Sequence, residues 1–154
     1  MSTADVESRP SPIAGGGLFA KREFVPGERI APYSGPTTLE PPSEASTGGK
    51  VYALEITPGR WLDGASADNP ARHANHACHP NAELIWHEQE SMAWLIALQP
   101  IAVDEEITFD YGFSLAESLF HPCACGAADC IGRIIATPLR PALRRHLRFS
   151  RPRD

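Results

Sequence analysis

Apolar and polar positions alternate over several short stretches of this chain, and they seldom repeat with the period of a helix. The segment VYALEIT, 51–57, sets Tyr52, Leu54 and Ile56 on one face of a strand. EEITFDYG, 105–112, does the same with Ile107, Phe109 and Tyr111. AELIWHE predicts a further strand, and the continuous apolar run MAWLIALQPI, 92–101, predicts a buried one that stops at Pro100. AGGGLFAKREF reads as a glycine-rich turn followed by an apolar segment, residues 1–12 as a flexible tail, and GPTTLEPPSEASTGGK, 35–50, as a long loop. Only SLAESLF, 114–120, and PALRRHLRF, 141–149, suggest helix; in the second, Pro141 can open the helix and Leu143 and Leu147 fall four apart. There is no internal repeat. The pattern predicts a mainly β (α+β) domain of short strands.

Composition agrees with that picture. The 154 residues fit one domain, and 42% hydrophobic with 21% charged content is that of a globular chain. Fifteen prolines and twelve glycines favour short elements and many turns. No apolar run approaches the roughly 20 residues of a membrane span, and the N-terminus carries no apolar core like a secretory signal. The expectation is a soluble protein of a reducing compartment, cytoplasmic or associated with nucleus or nucleoid.

Charge adds an asymmetry. Residues 1–139 carry 8 Lys and Arg against 18 Asp and Glu, a net of −10, whereas residues 140–154 carry six arginines and one aspartate, a net of +5. An acidic body draws basic partners by its field, or simply keeps the protein in solution. The basic tail has two readings, an amphipathic helix with solvated arginines or a site for nucleic acid or an acidic partner. Aromatic interleaving is confined to Phe149, which favours the first.

The four cysteines sharpen the chemistry. CACGAADC places Cys123, Cys125 and Cys130 as C-x-C-x4-C in one loop, with Cys123 and Cys125 projecting to the same side and Gly126 allowing a return. Structural zinc takes four ligands, so a fourth must come from elsewhere. Cys78 is the only thiol left; His121 and the histidines of RHANHACHPN, 72–81, are its rivals. Two disulfides are the alternative, which a reducing compartment disfavours.

Four segments together resemble the SET-domain family of protein-lysine methyltransferases: AGGGLFA with VPGERIAPYSG after it, ARHANHACHPN, IALQPIAVDEEITFDYG, and CACGAADCIG. With VYALEI and LDG between them, the likeness runs from about residue 13 to 134. Ala77 stands where the family signature has serine, and Asp104 where it has glycine. The resemblance implies a SET fold of several small sheets with a knot-like C-terminal arrangement and few short helices. It divides the chain into a tail (1–12), a SET domain (13–113), a post-SET zinc segment (114–136) and a basic tail (137–154).

The resemblance also implies S-adenosylmethionine as methyl donor and a lysine of a basic protein segment as acceptor. Tyr111 matches the catalytic tyrosine, Tyr33 a tyrosine lining the lysine channel, and Phe109 the position that sets how many methyls are added. A phenylalanine there favours di- or trimethylation over monomethylation by analogy. Gly15, Gly17, Leu18, Tyr52, Arg72, Asn75, His76 and Tyr111 match cofactor-contacting positions, and Cys78, Cys123, Cys125 and Cys130 match the ligands of structural Zn2+. His73 and His79 are passengers on this reading. Two rivals stand beside it: an inactive SET-fold binding module, and a metallohydrolase using His73, His76 and His79, whose spacing resembles no helical H-E-x-x-H arrangement.

Overall fold

The computed structural model describes residues 3–41 and 52–150, so most of the proposed 35–50 loop, Val51 and the chain ends fall outside it. Among the described residues ten short strands form three sheets: β1 (Val6–Pro10), β2 (Gly16–Ala20), β3 (Arg29–Tyr33), β4 (Thr37–Thr38), β5 (Ala53–Thr57), β6 (Arg60–Asp63), β7 (Asn75–His76), β8 (Ala82–His87), β9 (Met92–Ala97) and β10 (Glu106–Phe109). Their orders are β1-β2-β10-β7, β3-β9-β8 and β4-β6-β5. Two α-helices occur among the described residues, α1 (Leu115–Ser118) and α2 (Arg140–Phe149). The mainly β expectation holds.

The sheets meet around one core. Leu18, Leu62, Leu95 and Ile107, one or more from each sheet, are fully buried there. In β10 Ile107 and Phe109 are buried as predicted and Tyr111 packs against the core just beyond the strand, but Thr108 between them is buried as well. β9 is buried at Ala93, Trp94 and Leu95 on both faces, which is why its sequence reads as an unbroken apolar run. It ends at Ala97, three residues before Pro100, because the Leu98 N–H turns to the Asn81 carbonyl at 2.8 Å. Ile101 then re-enters the core paired with Phe24.

Within the proposed 1–12 tail, the described residues from 3 onward are ordered into structure. Val6–Pro10 pairs antiparallel with β2, from Val6 opposite Ala20 to Pro10 opposite Gly16. An edge strand needs few apolar residues: Val6 alone is buried, and Pro10 sits at the strand's end where no ladder donor is missed. Arg9 fixes it further, its guanidinium 4.1 Å over the Phe19 ring and 2.9 Å from the Asp104 carboxylate. Polar composition concealed this strand.

Asp104 itself has φ of +67°, the left-handed region that glycine enters without cost. That accounts for the family's glycine, and Asp is among the side chains that tolerate the conformation best. The expected helix at 114–120 shrinks to Leu115–Ser118, capped by a reciprocal Ser114–Glu117 box. The C-terminal helix starts one residue earlier than predicted, at Arg140, directly after a 3-10 turn at Thr137–Leu139.

Candidate active site

β7 and β10 run parallel, with Asn75 opposite Thr108 and His76 opposite Phe109. This pairing brings the R-H-A-N-H segment against the strand that leads to Tyr111. A cavity of about 250 Å³ opens there, lined by Ala14, Gly15, Gly16, Tyr33, Tyr52, Ala53, Leu54, Arg72, His73, Ala74, Asn75, Phe109 and Tyr111. Tyr33, Tyr52, Arg72, Asn75, Phe109, Tyr111 and Gly15, all named from the sequence, therefore share one wall-to-wall space.

Three aromatic side chains shape it. The Phe109 and Tyr111 rings lie 4.9 Å apart and tilted. The Tyr33 hydroxyl donates to the Tyr52 carbonyl at 2.8 Å, and the Tyr111 hydroxyl to the Ala74 carbonyl at 2.9 Å. Burial raises both phenols, Tyr111 to about 12 and Tyr33 beyond the usual range, so each stays neutral and a donor near neutral pH. Gly64 makes the Tyr33 position habitable, since a Cβ there would overlap the Tyr33 ring.

Polar groups line the same cavity. Arg72 donates to the Ala65 carbonyl and lies 5.3 Å over the Tyr52 ring, leaving a positive charge at the wall. Asn75 is held by its amide nitrogen, which donates to the Gly16 carbonyl at 2.9 Å and to the Glu106 carboxylate at 2.8 Å. Ser11, the residue after β1, donates to the same carboxylate at 2.8 Å, so Glu106 of β10 links the end of β1 to Asn75 of β7. Sequence reasoning missed Glu106, and also Asn81, whose amide bonds the Glu106 carbonyl at 2.8 Å and the Thr108 N–H at 2.9 Å.

Some sequence-named residues lie elsewhere. Leu18 is an inward residue of β2, fully buried in the core and absent from the cavity wall. Gly17 is not in the wall either: a Cβ there would strike the Glu106 carboxylate and Ser11, so its smallness serves that cluster. Gly16 takes its place beside Gly15. His76 is buried behind the wall; burial lowers its pKa, and its Nδ1 accepts from the Tyr111 N–H at 3.3 Å. Its Nε2 is buried with no partner among the described residues. His73, read as a passenger, lines the cavity, with Nε2 accepting from Arg72 Nε at 3.3 Å.

The four cysteines converge just beyond β7. Their sulfurs all lie within 4.8 Å of one another, with Cys78 4.0 Å from Cys123 and 3.7 Å from Cys130. Four sulfurs around a tetrahedral ion at the usual Zn–S length would sit about 3.8 Å apart, so the set fits such an ion. His121 is exposed and meets Phe113 edge to face instead, while His79 pairs with Asp129 at 2.6 Å. Burial and the neighbouring thiols push Cys78 up to about 11 and Cys123 higher. Burial works the same way on Cys125, but hydrogen bonds from the Cys78 and Ala127 backbone outweigh it and bring that thiol down to about 7. Cys125 thus loses its proton more readily than Cys78 or Cys123, and a captured cation would draw protons off the cluster. His73, His76 and His79 do not group with any other ligand set among the described residues.

The sequence is similar to known proteins. Histone-lysine N-methyltransferase SETD1 of Drosophila melanogaster is 35% identical over 127 residues, 77% of this chain and 8% of its own length. Histone-lysine N-methyltransferase SETD1A of Homo sapiens and SETD1B of Xenopus laevis are each 32% identical over the same share of this chain, which covers 7% and 6% of them. The chain thus spans under a tenth of these relatives' length. The SET domain family model matches residues 15–112, well over half the chain and all of the cavity wall except Ala14. The chain belongs to the SET domain family.

Proposed function

We propose that this chain transfers methyl groups from S-adenosylmethionine to the side-chain amine of a lysine in a basic protein segment, a histone or another basic protein. The observation that carries the reading is the single cavity in which Tyr33, Phe109 and Tyr111 meet Gly15, Arg72 and Asn75. The relatives bearing the name histone-lysine N-methyltransferase support it. The cofactor, when bound, supplies an electrophilic methyl on a sulfonium.

The chain's own residues account for the rest. Gly15 and Gly16 keep the wall free of side chains so that backbone can approach a ligand; a Cβ at Gly15 would meet nothing within 4 Å, so the space there is open. Arg72 gives a carboxylate-bearing ligand a counter-charge, and Asn75 is locked in one orientation by Gly16 and Glu106. Tyr33, Phe109 and Tyr111 form an apolar aromatic lining that disfavours an ammonium and favours the neutral amine. Holding that amine in line with the methyl supplies rate by positioning. Phe109 has no hydroxyl to restrain the amine, which favours di- or trimethylation.

Cys78, Cys123, Cys125 and Cys130 would hold Zn2+ with no open coordination position, a structural site. On this reading the SET domain covers residues 13–113, the zinc segment 114–136 and the basic C-terminal segment 137–154.

Zinc-loaded protein incubated with methyl-labelled cofactor and mixed basic proteins should label lysine. Absence of both label transfer and calorimetric cofactor binding would sink the reading.

A further inference from the structure

We propose that the outer face of α2 binds the phosphate backbone of double-stranded DNA. The observation is how selectively its arginines are left over. Arg9, Arg22, Arg29, Arg60 and Arg140 each pair with a carboxylate, and Arg72 and Arg133 donate to the Ala65 and Leu119 carbonyls. Arg144, Arg145 and Arg148 are exposed and pair with none among the described residues. Acidic side chains are not scarce, since residues 1–139 carry 18 of them. The fold keeps these three arginines away from that surplus.

The helix is anchored so that this face stays outward. Leu143 is fully buried and Leu147 partly so. Arg140 donates to the Cys78 carbonyl at 3.4 Å and the Asp129 carbonyl at 3.1 Å, locking the first turn to the cysteine cluster. Arg144 and Arg148 lie one turn apart, about 6 Å along the axis, with Arg145 beside them. The sequence continues with Arg151 and Arg153, extending the basic run.

Duplex DNA suits this face best on charge density and chemistry. It presents one negative charge per about 1.7 Å of axis, and guanidinium groups grip phosphate oxygens in pairs. A net charge of −10 on residues 1–139 repels DNA from the body and confines contact to α2. The same acidic body attracts basic protein. A basic protein already seated on DNA would then meet both surfaces at once; that step rests on the methyltransferase reading, whereas the DNA surface does not.

The test is anisotropy of a labelled random-sequence duplex titrated with the zinc-loaded full chain. Three phosphate contacts predict a slope of about −2.7 in log affinity against log salt, hence about 40-fold weaker binding between about 50 and 200 mM. The triple variant R144Q/R145Q/R148Q keeps helix propensity and should lose about tenfold or more in affinity at the lower salt. It should methylate a free basic peptide at the wild-type rate. Absence of transfer by either protein, with duplex bound by the wild type and lost in the triple variant, supports the surface and counts against the transfer reading alone. The proposal is overturned by no duplex binding at low salt or by equal binding of the triple variant. Capture by phosphatidylserine vesicles or salt-sensitive self-association in place of duplex binding overturns it too.

Discussion

Burial holds the Tyr111 hydroxyl neutral up to about 12, and the Ala74 carbonyl takes its proton in a hydrogen bond. A phenol in that state does not serve as the base for a lysine near neutral pH. The alkaline rise in methylation should therefore follow the amine of the substrate, whose free pKa is about 10.4. Log kcat/KM is expected to climb smoothly from about pH 7 to 9.5, and Tyr111→Phe should lower it by about a hundredfold or more without changing its slope. A break in that range that disappears in the variant would mean that the tyrosine itself titrates. Gly64 gives a second expectation at this scale. Gly64→Ala would force the Tyr33 ring to move, costing about 1–3 kcal/mol of stability in denaturant unfolding and raising KM for peptide. The places of Phe109 and Tyr111 in the cavity wall were legible in the sequence because motif and alternation both pointed to them, and that of Tyr33 from the motif alone. Gly64, Asn81 and Glu106 were not, because their work depends on contacts 25 or more positions away, or on a ring packed from another strand.

Elements were legible where burial dictated pattern and illegible where it did not. β10 and β9 could be read off because their inward faces are apolar. β1 could not, since an edge strand is held by backbone pairing and by Arg9 rather than by its own apolar residues. The C-terminal segment is the instructive case: the spacing of Leu143 and Leu147 favoured an amphipathic helix, and Leu143 is indeed fully buried, but nothing in the sequence showed that Arg140 reaches the cysteine cluster. The Arg140 side chain is only 12% exposed and bridges the Cys78 loop to the Asp129 loop, so it holds two of the cluster's three approaches in register. Arg140→Met keeps the alkyl length but loses both bridges. Outer partners of metal ligands are worth about 10–100-fold in affinity, so the variant should release zinc to a colorimetric chelator at least tenfold more readily. Unchanged release would show that the helix merely rests on the cluster.

Across the whole molecule, the short link between β7 and Cys78 makes the two sites one mechanical unit. Asn75 and His76 are the paired residues of β7, and only Ala77 separates them from Cys78. β7 in turn is registered on β10, with His76 opposite Phe109, so any displacement of the Cys78 loop reaches the cavity wall through two hydrogen-bonded strands. His76 has no room to absorb such a shift, being 3% exposed with its Nδ1 committed to the Tyr111 N–H. Cys78→Ser removes one of four convergent sulfurs, and a structural zinc site missing a thiolate loses much of the energy it gives the fold. The expected outcome is a joint loss: weaker zinc retention, and cofactor affinity reduced by about tenfold, or about 1.4 kcal/mol by calorimetry. Stripping zinc from the wild type with a chelator should reproduce the cofactor effect without any mutation, and restoring zinc should reverse it. If zinc-free protein binds cofactor as tightly as the loaded form, the cluster stabilises only its own loop and the coupling through β7 is absent.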